Sequence, residues 1–141
     1  MAGCVKFNID GSARGKLGPA GCGGVLRDEM GRVLALFSGP LGVLDSNEAE
    51  LYAILFALES FRTLQWGALP CIVESDSLVA TLWVGRGETR PWRLYELFRR
   101  VDDACLGMTF VFNHVVHEVN GVADILAKGR VDRKAWLRIG V

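Results

Sequence analysis

Apolar and polar residues alternate from the start of the chain. Val5, Phe7 and Ile9 interleave with Lys6, Asn8 and Asp10, the period-two pattern of a strand with one buried face. Asp10 then falls at the strand's end, on its polar side. A glycine-rich passage, GPAGCGG, leads into two apolar runs, GGVLR and RVLALFS. They are joined by Asp28-Glu29-Met30-Gly31, a hairpin signal in which glycine supplies the positive φ. From about Asn47 to Trp66 the pattern turns helical and is apolar almost all round (Leu51, Ile54, Leu55, Leu58, Phe61), as expected of a helix packed on a sheet. Glu50 shares a row of that helix with Ile54 and Phe61. LPCIVES reads as a buried strand ending at Asp76. Helical material continues to Cys105, interrupted by Gly85, Gly87 and Pro91. MTFVFN reads as a fifth strand, and Asn120 as the N-cap of a short helix through Lys128.

This β-β-β-α-β-α-α-β-α order excludes an alternating βα barrel. It predicts an α/β domain with a five-stranded mixed sheet, three antiparallel strands and then parallel ones, flanked by helices. With 141 residues, half of them hydrophobic, and a mean hydropathy of +0.26, residues 1–141 are expected to form one domain with one core. No apolar stretch reaches the roughly 18 to 20 residues of a membrane span, and the start lacks a secretion signal. The expectation is an intracellular protein, cytoplasmic or nuclear, acting as a monomer. Cys4, Cys22, Cys71 and Cys105 are scattered without a CxxC pair, which argues against a zinc site or a disulfide framework.

Four acidic residues change the picture: Asp10 in NIDGS, Glu50 in SNEAEL, Asp76 in VESDS and Asp124 in NGVADILAK. Each closes or succeeds an apolar run, so four elements could bring carboxylates together. Such oxygen-rich clusters suit hard divalent ions and phosphodiester chemistry. Local chemistry offers a rival for each. Asp10 could enter a turn with Gly11 and Ser12. Glu50 could complete a capping box with Asn47 as N-cap. Asp76 could cap the helix starting at Ser77, and Asp124 could complement a helix dipole. Glu48 lies roughly 200° around the helix from Glu50 and is assigned to the rim.

Net charge is zero, which by itself does not favour nucleic acid. Its distribution is less neutral, although such charge runs are more often solvated helix faces. Arg86, Arg90, Arg93, Arg99 and Arg100 cluster in one stretch, and Lys128, Arg130, Arg133, Lys134 and Arg138 in another. Trp83 and Trp92 lie beside the first cluster and could join Arg90 and Arg93 in a small platform, although tryptophans are more often core.

DGS after a strand, EAEL opening a long helix, ESDS after a strand, and H-x-x-H-x-x-N-x-x-x-D stand in one order from about Val5 to Lys128. In these signatures the chain resembles type 1 ribonuclease H domains, above all the archaeal-like branch also found in plant LINE-type retrotransposons. The resemblance implies the ribonuclease H-like fold and hydrolysis of the RNA strand of RNA/DNA hybrids by two Mg²⁺ ions, with Mn²⁺ as a substitute. It implies metal ligation by Asp10, Glu50, Asp76 and Asp124, and a proton-handling or product-release role for His114. Asn47, Lys16, Gly11, Ser12, Arg90 and Arg93 form the expected substrate-facing set, and a reverse transcriptase in the same polyprotein is an expected partner. The competing reading is a catalytically silent hybrid-binding module. Two departures from the family pattern bear on binding. Lys16-Leu17-Gly18-Pro19 stands where relatives often carry Asn-Pro-Gly-Pro, and Asp45-Ser46-Asn47 stands for Thr-Asn-Asn. Asp45 therefore brings a like charge towards a phosphate contact, which should weaken hybrid affinity.

Overall fold

The structure, a computed structural model, describes residues 3–13, 15, 17–63, 70–86, 89–116 and 137–140. In chain order the elements are β1 (Val5–Ala13), β2 (Gly18–Arg27), β3 (Val33–Leu44), α1 (Ser46–Thr63), β4 (Cys71–Ser75), α2 (Leu78–Arg86), a 3₁₀ turn (Trp92–Leu94), α3 (Tyr95–Cys105), β5 (Phe110–His114) and β6 (Leu137–Gly140). One sheet has the order β5-β4-β1-β2-β3-β6. β1, β2 and β3 pair antiparallel, and β4 joins β1 and β5 in parallel. The mixed sheet is therefore as expected, with one addition. β6 pairs antiparallel with the outer edge of β3, a strand the polar sequence after Gly129 had not suggested. The predicted helix from Asn120 lies outside the described residues.

Two strands run further than the apolar pattern implied. GPAGCGG is not a lead-in but the first part of β2, and β1 continues past Asp10 to Ala13, with Asp10 opposite Gly23. Pairing with β1 and β3 holds this glycine-rich stretch in the sheet, and at Gly24 the missing side chain makes room for large neighbours. A Cβ at Gly24 would stand 2.7 Å from Phe37 Cζ and 3.1 Å from Ile9 Cγ2. The predicted hairpin turn forms, with Gly31 at φ 81°. There the Asp28 carboxylate accepts from the Met30 and Arg32 backbone N–H groups, each at 2.9 Å.

α1 lies on β1 and β2 and against α3. Leu51, Ile54, Leu55, Leu58 and Phe61 are fully buried with Phe7, Ile9 and Leu26 from the sheet. Its near-uniform apolarity reflects contact on several sides, since Tyr52 and Phe56 also stack and carry the ring packing to Phe37. α3 has one buried stripe, Leu97, Phe98, Val101 and Ala104, and Trp83 of α2 meets Phe98 edge-on at 5.7 Å. Gly85 sits inside α2 and does not interrupt it. Pro91 precedes the 3₁₀ turn, where its fixed φ of −64° suits a helical start.

Candidate active site

The register of three parallel strands brings the chemistry to one edge. Ile9 pairs with Ser75 and Ser75 with His114, so Asp10 and Asp76, each one residue further on, leave neighbouring strands side by side. α1 brings the third carboxylate. Its backbone at Ala49 and Glu50 lies so close to Gly11 that an added Cβ would approach Ala49 C, Glu50 N and Ala49 O within 3.0 Å. Glycine at position 11 therefore lets the helix touch the strand next to Asp10. One carboxylate oxygen from each of Asp10, Glu50 and Asp76 lies within 4.8 Å of the others.

The local rivals of these residues do not hold. Helix α1 is capped by Asp45, whose Oδ1 accepts from the Glu48 N–H at 2.8 Å. This corrects the expectation of Asn47 as N-cap. Glu48 then takes the third helical position and Glu50 lies beyond the capping box. The cap moved because Asp45 has both the carboxylate and the non-helical position that the role needs. At α2 the cap is Ser77, whose Oγ accepts from Ala80 N–H at 3.1 Å, and not Asp76. Asp10 is a paired residue within β1 and is buried, so it enters no turn.

Glu50 is buried, with 4% of its surface exposed. Burial pushes its carboxyl above the ordinary glutamate range and the Asp76 charge adds to this. Hydrogen bonds with Asp10, the Gly11 backbone N–H and Ser75 act the other way. The Ser75 hydroxyl donates to Glu50 Oε2 at 2.9 Å. Sequence reasoning had passed over Ser75; its only signal was a serine directly before Asp76 at a strand's end. His114 is exposed at the end of β5, with Nε2 3.1 Å from the Asp76 carbonyl oxygen. A carbonyl can only accept, so Nε2 is the donor in this contact and Nδ1 takes no part in it. Val115 N–H donates to Ser75 O at 2.8 Å, stitching β5 to the same corner.

Around this cluster the structure distributes the other expected residues. Asn47 is exposed in the first turn of α1, Ser12 is half-buried towards the end of β1, and Gly11 is buried under α1. Arg93 reaches back to α1, 3.0 Å from Asp45 Oδ2 and bonded to Glu48. The charge at Asp45 is thus compensated inside the protein, which the sequence did not reveal. Arg90 donates to Trp83 O at 2.8 Å, makes a two-pronged pair with Asp102 and lies 4.7 Å over the Phe98 ring. That is a packing role for Arg90. The tryptophans divide: Trp83 is core, whereas Trp92 is 93% exposed. Lys16, His117 and Asp124 lie outside the described residues.

The chain is similar to known proteins. The sequence profile of the family described as reverse transcriptase-like matches residues 8–129. A protein of Arabidopsis thaliana with a provisional ribonuclease H name is 32% identical over 127 residues, covering 89% of this chain; the chain spans only 20% of that relative's length. The ribonuclease H of Paracidovorax citrulli is 31% identical, with 92% of this chain and 95% of that one covered. Among solved structures, LC11-RNase H1 in complex with an RNA/DNA hybrid superposes with a TM-score of 0.83 at 30% identity, covering 91% of this chain and 96% of that one. With its strand order, the converging carboxylates and these relatives, the chain belongs to the ribonuclease H family.

Proposed function

We propose that the domain hydrolyses the RNA strand of RNA/DNA hybrids with two divalent ions held by Asp10, Glu50, Asp76 and Asp124, leaving 5′-phosphate and 3′-hydroxyl ends. The observation that carries this reading is the convergence of Asp10, Glu50 and Asp76 oxygens within 4.8 Å, two of the residues being buried. Three carboxylates so placed repel one another and lose hydration, a cost that a divalent cation offsets. The donor set is all oxygen, which suits Mg²⁺ or Mn²⁺ over softer metals. When bound, such a pair of ions generates a hydroxide nucleophile and stabilises the departing oxygen.

The chain's own residues do the rest. Gly11 and the Ser75 hydroxyl hold the Glu50 carboxylate to the sheet edge, and the exposed His114 imidazole beside Asp76 is our candidate for handling a proton or product release. Asn47, exposed on the first turn of α1, is our candidate hybrid contact, with Ser12 towards the end of β1 and, by its place in the sequence, Lys16. The hybrid bound by LC11-RNase H1 supports this substrate class. The much greater length of the Arabidopsis relative supports a module working inside a longer chain. No described helix is long and apolar enough to cross a membrane.

The test is cleavage of end-labelled hybrid, duplex RNA and duplex DNA in Mg²⁺. The hybrid should be cut in its RNA strand alone, and Asp76→Asn should lower the rate by roughly 10³-fold, as loss of several kcal/mol of metal-derived stabilisation implies. Equal cutting by Asp76→Asn would sink the metal assignment. Hybrid binding without cleavage by the parent would favour the silent-module reading.

A further inference from the structure

Ser75 has a buried hydroxyl, 2% exposed, whose direction is forced. Its Oγ lies 3.0 Å from Ser77 N–H and 2.9 Å from Glu50 Oε2. The backbone N–H can only donate, so Oγ accepts there and its single proton goes to Glu50. The chain Ser77 N–H to Ser75 Oγ to Glu50 Oε2 links the turn that carries Asp76 to the helix that carries Glu50. Without it, Glu50 would depend on its neighbour Asp10 and on the Gly11 N–H to set its plane.

We propose that Ser75 is a positioning residue for the divalent-ion site: its hydroxyl fixes the plane of the Glu50 carboxylate that stands beside Asp10 and Asp76. This rests on the proposed metal role of Glu50 and extends it to a residue that touches neither ion nor substrate. An outer hydrogen-bond donor of this kind commonly changes metal affinity by about 10- to 100-fold when removed. Ser75 also gives its main-chain carbonyl to Val115 N–H, but a side-chain substitution leaves that bond in place.

The experiment is Mn²⁺ binding by calorimetry to metal-free protein, with Mg²⁺ activation of hybrid cleavage alongside. Ser75→Ala should bind Mn²⁺ about 10- to 100-fold more weakly and need correspondingly more Mg²⁺ for half-activation, with the KM for hybrid unchanged. Ser75→Cys, which keeps the shape but donates weakly, should also lose affinity. In a Glu50→Gln background Ser75→Ala should cause no further loss, because the coupling runs through that carboxylate. Thr81→Ala is the structural control. Its hydroxyl donates to Ser77 O at 2.7 Å and meets no carboxylate, so it should lower stability and leave Mn²⁺ affinity as in the parent. Parent-like Mn²⁺ affinity in Ser75→Ala, or an equal loss in Thr81→Ala, overturns the role of Ser75 and leaves the metal site standing. A parent that binds no Mn²⁺ overturns both.

Discussion

Replacing Gly11 by alanine adds one methyl group at the point where helix and sheet meet. That methyl would come within 3.0 Å of three atoms, all of them backbone of Ala49 and Glu50. A flexible side chain could rotate away, but a helix backbone cannot, so α1 must slide off β1. Overpacking commonly costs about 1–3 kcal/mol, and with no yielding neighbour the upper end applies. At about 2–4 °C per kcal/mol for a domain near this size, the expected fall in Tm is roughly 10 °C. The same displacement carries Glu50 away from Asp10 and Asp76, so cleavage should fall further than the lost folded fraction explains. Gly85→Ala is the matched comparison. Nothing lies within 4 Å of a Cβ there, and the residue is within α2, so alanine should be neutral or stabilising by up to about 1 kcal/mol. Thermal unfolding and hybrid cleavage at a temperature where both variants are folded would check this. Parent-like Tm and turnover in Gly11→Ala would refute the claim that contact between the α1 and β1 backbones sets the site.

Glu50→Gln should reduce turnover by about 10²-fold or more, whereas Glu48→Gln, which only weakens an exposed pair with Arg93, should change it little; similar small effects in a cleavage assay would make Glu50 structural. Glu50 also predicts a pH dependence in chelator. Its folded pKa is raised by burial, so its favourable contribution is complete below the unfolded value and is lost as pH rises through the folded one. The stability advantage of Glu50→Gln over the parent, measured by urea unfolding, should therefore be larger near pH 8 than near pH 5; a constant difference would contradict it. Burial pushes the Cys71 thiol up to about 12, leaving about one thiolate in 10⁴ at pH 8, so thiol reagents should modify Cys71 only on unfolding; rapid labelling of Cys71 in the native protein would count against its burial. In an Asp10→Asn background, Arg93→Ala should flatten the fall of log hybrid affinity with log salt by somewhat under one unit if Arg93 turns to a phosphate. Arg90→Ala should lower stability and leave the slope alone, because its side chain is packed over Phe98 and only 21% exposed, whereas that of Arg93 is 57% exposed and can turn from its carboxylate partners to solvent; salt titrations of binding decide both.

The strands around Val5, Val25, Leu36 and Val73, the long helix and the converging acidic positions Asp10, Glu50 and Asp76 were legible in the sequence, because periodicity reports which face of an element is buried and motifs mark the residue types at its end. The same local view offered Asn47 as the cap of α1 and passed over Asp45, since either side chain satisfies the rule in isolation and only the folded chain shows which one the helix starts after. Nor could it show that the glycines of GPAGCGG sit in a strand: glycine has little strand preference of its own, and only the bulk of Phe37 and Ile9 against it explains Gly24. The β3 edge recruits Leu137–Gly140 through backbone pairing, for which side-chain patterns are a poor guide. Charge obeyed the same division. The sequence placed Asp45 near the substrate as an unbalanced anion, and tertiary structure set Arg93 against it from 48 residues away. For the site, sequence supplied the carboxylates, and three-dimensional packing decided their geometry. The parallel register sets Asp10 beside Asp76, the missing Cβ of Gly11 admits Glu50, and the Ser75 hydroxyl orients it. Those are contacts between residues distant along the chain, and no local propensity encodes them.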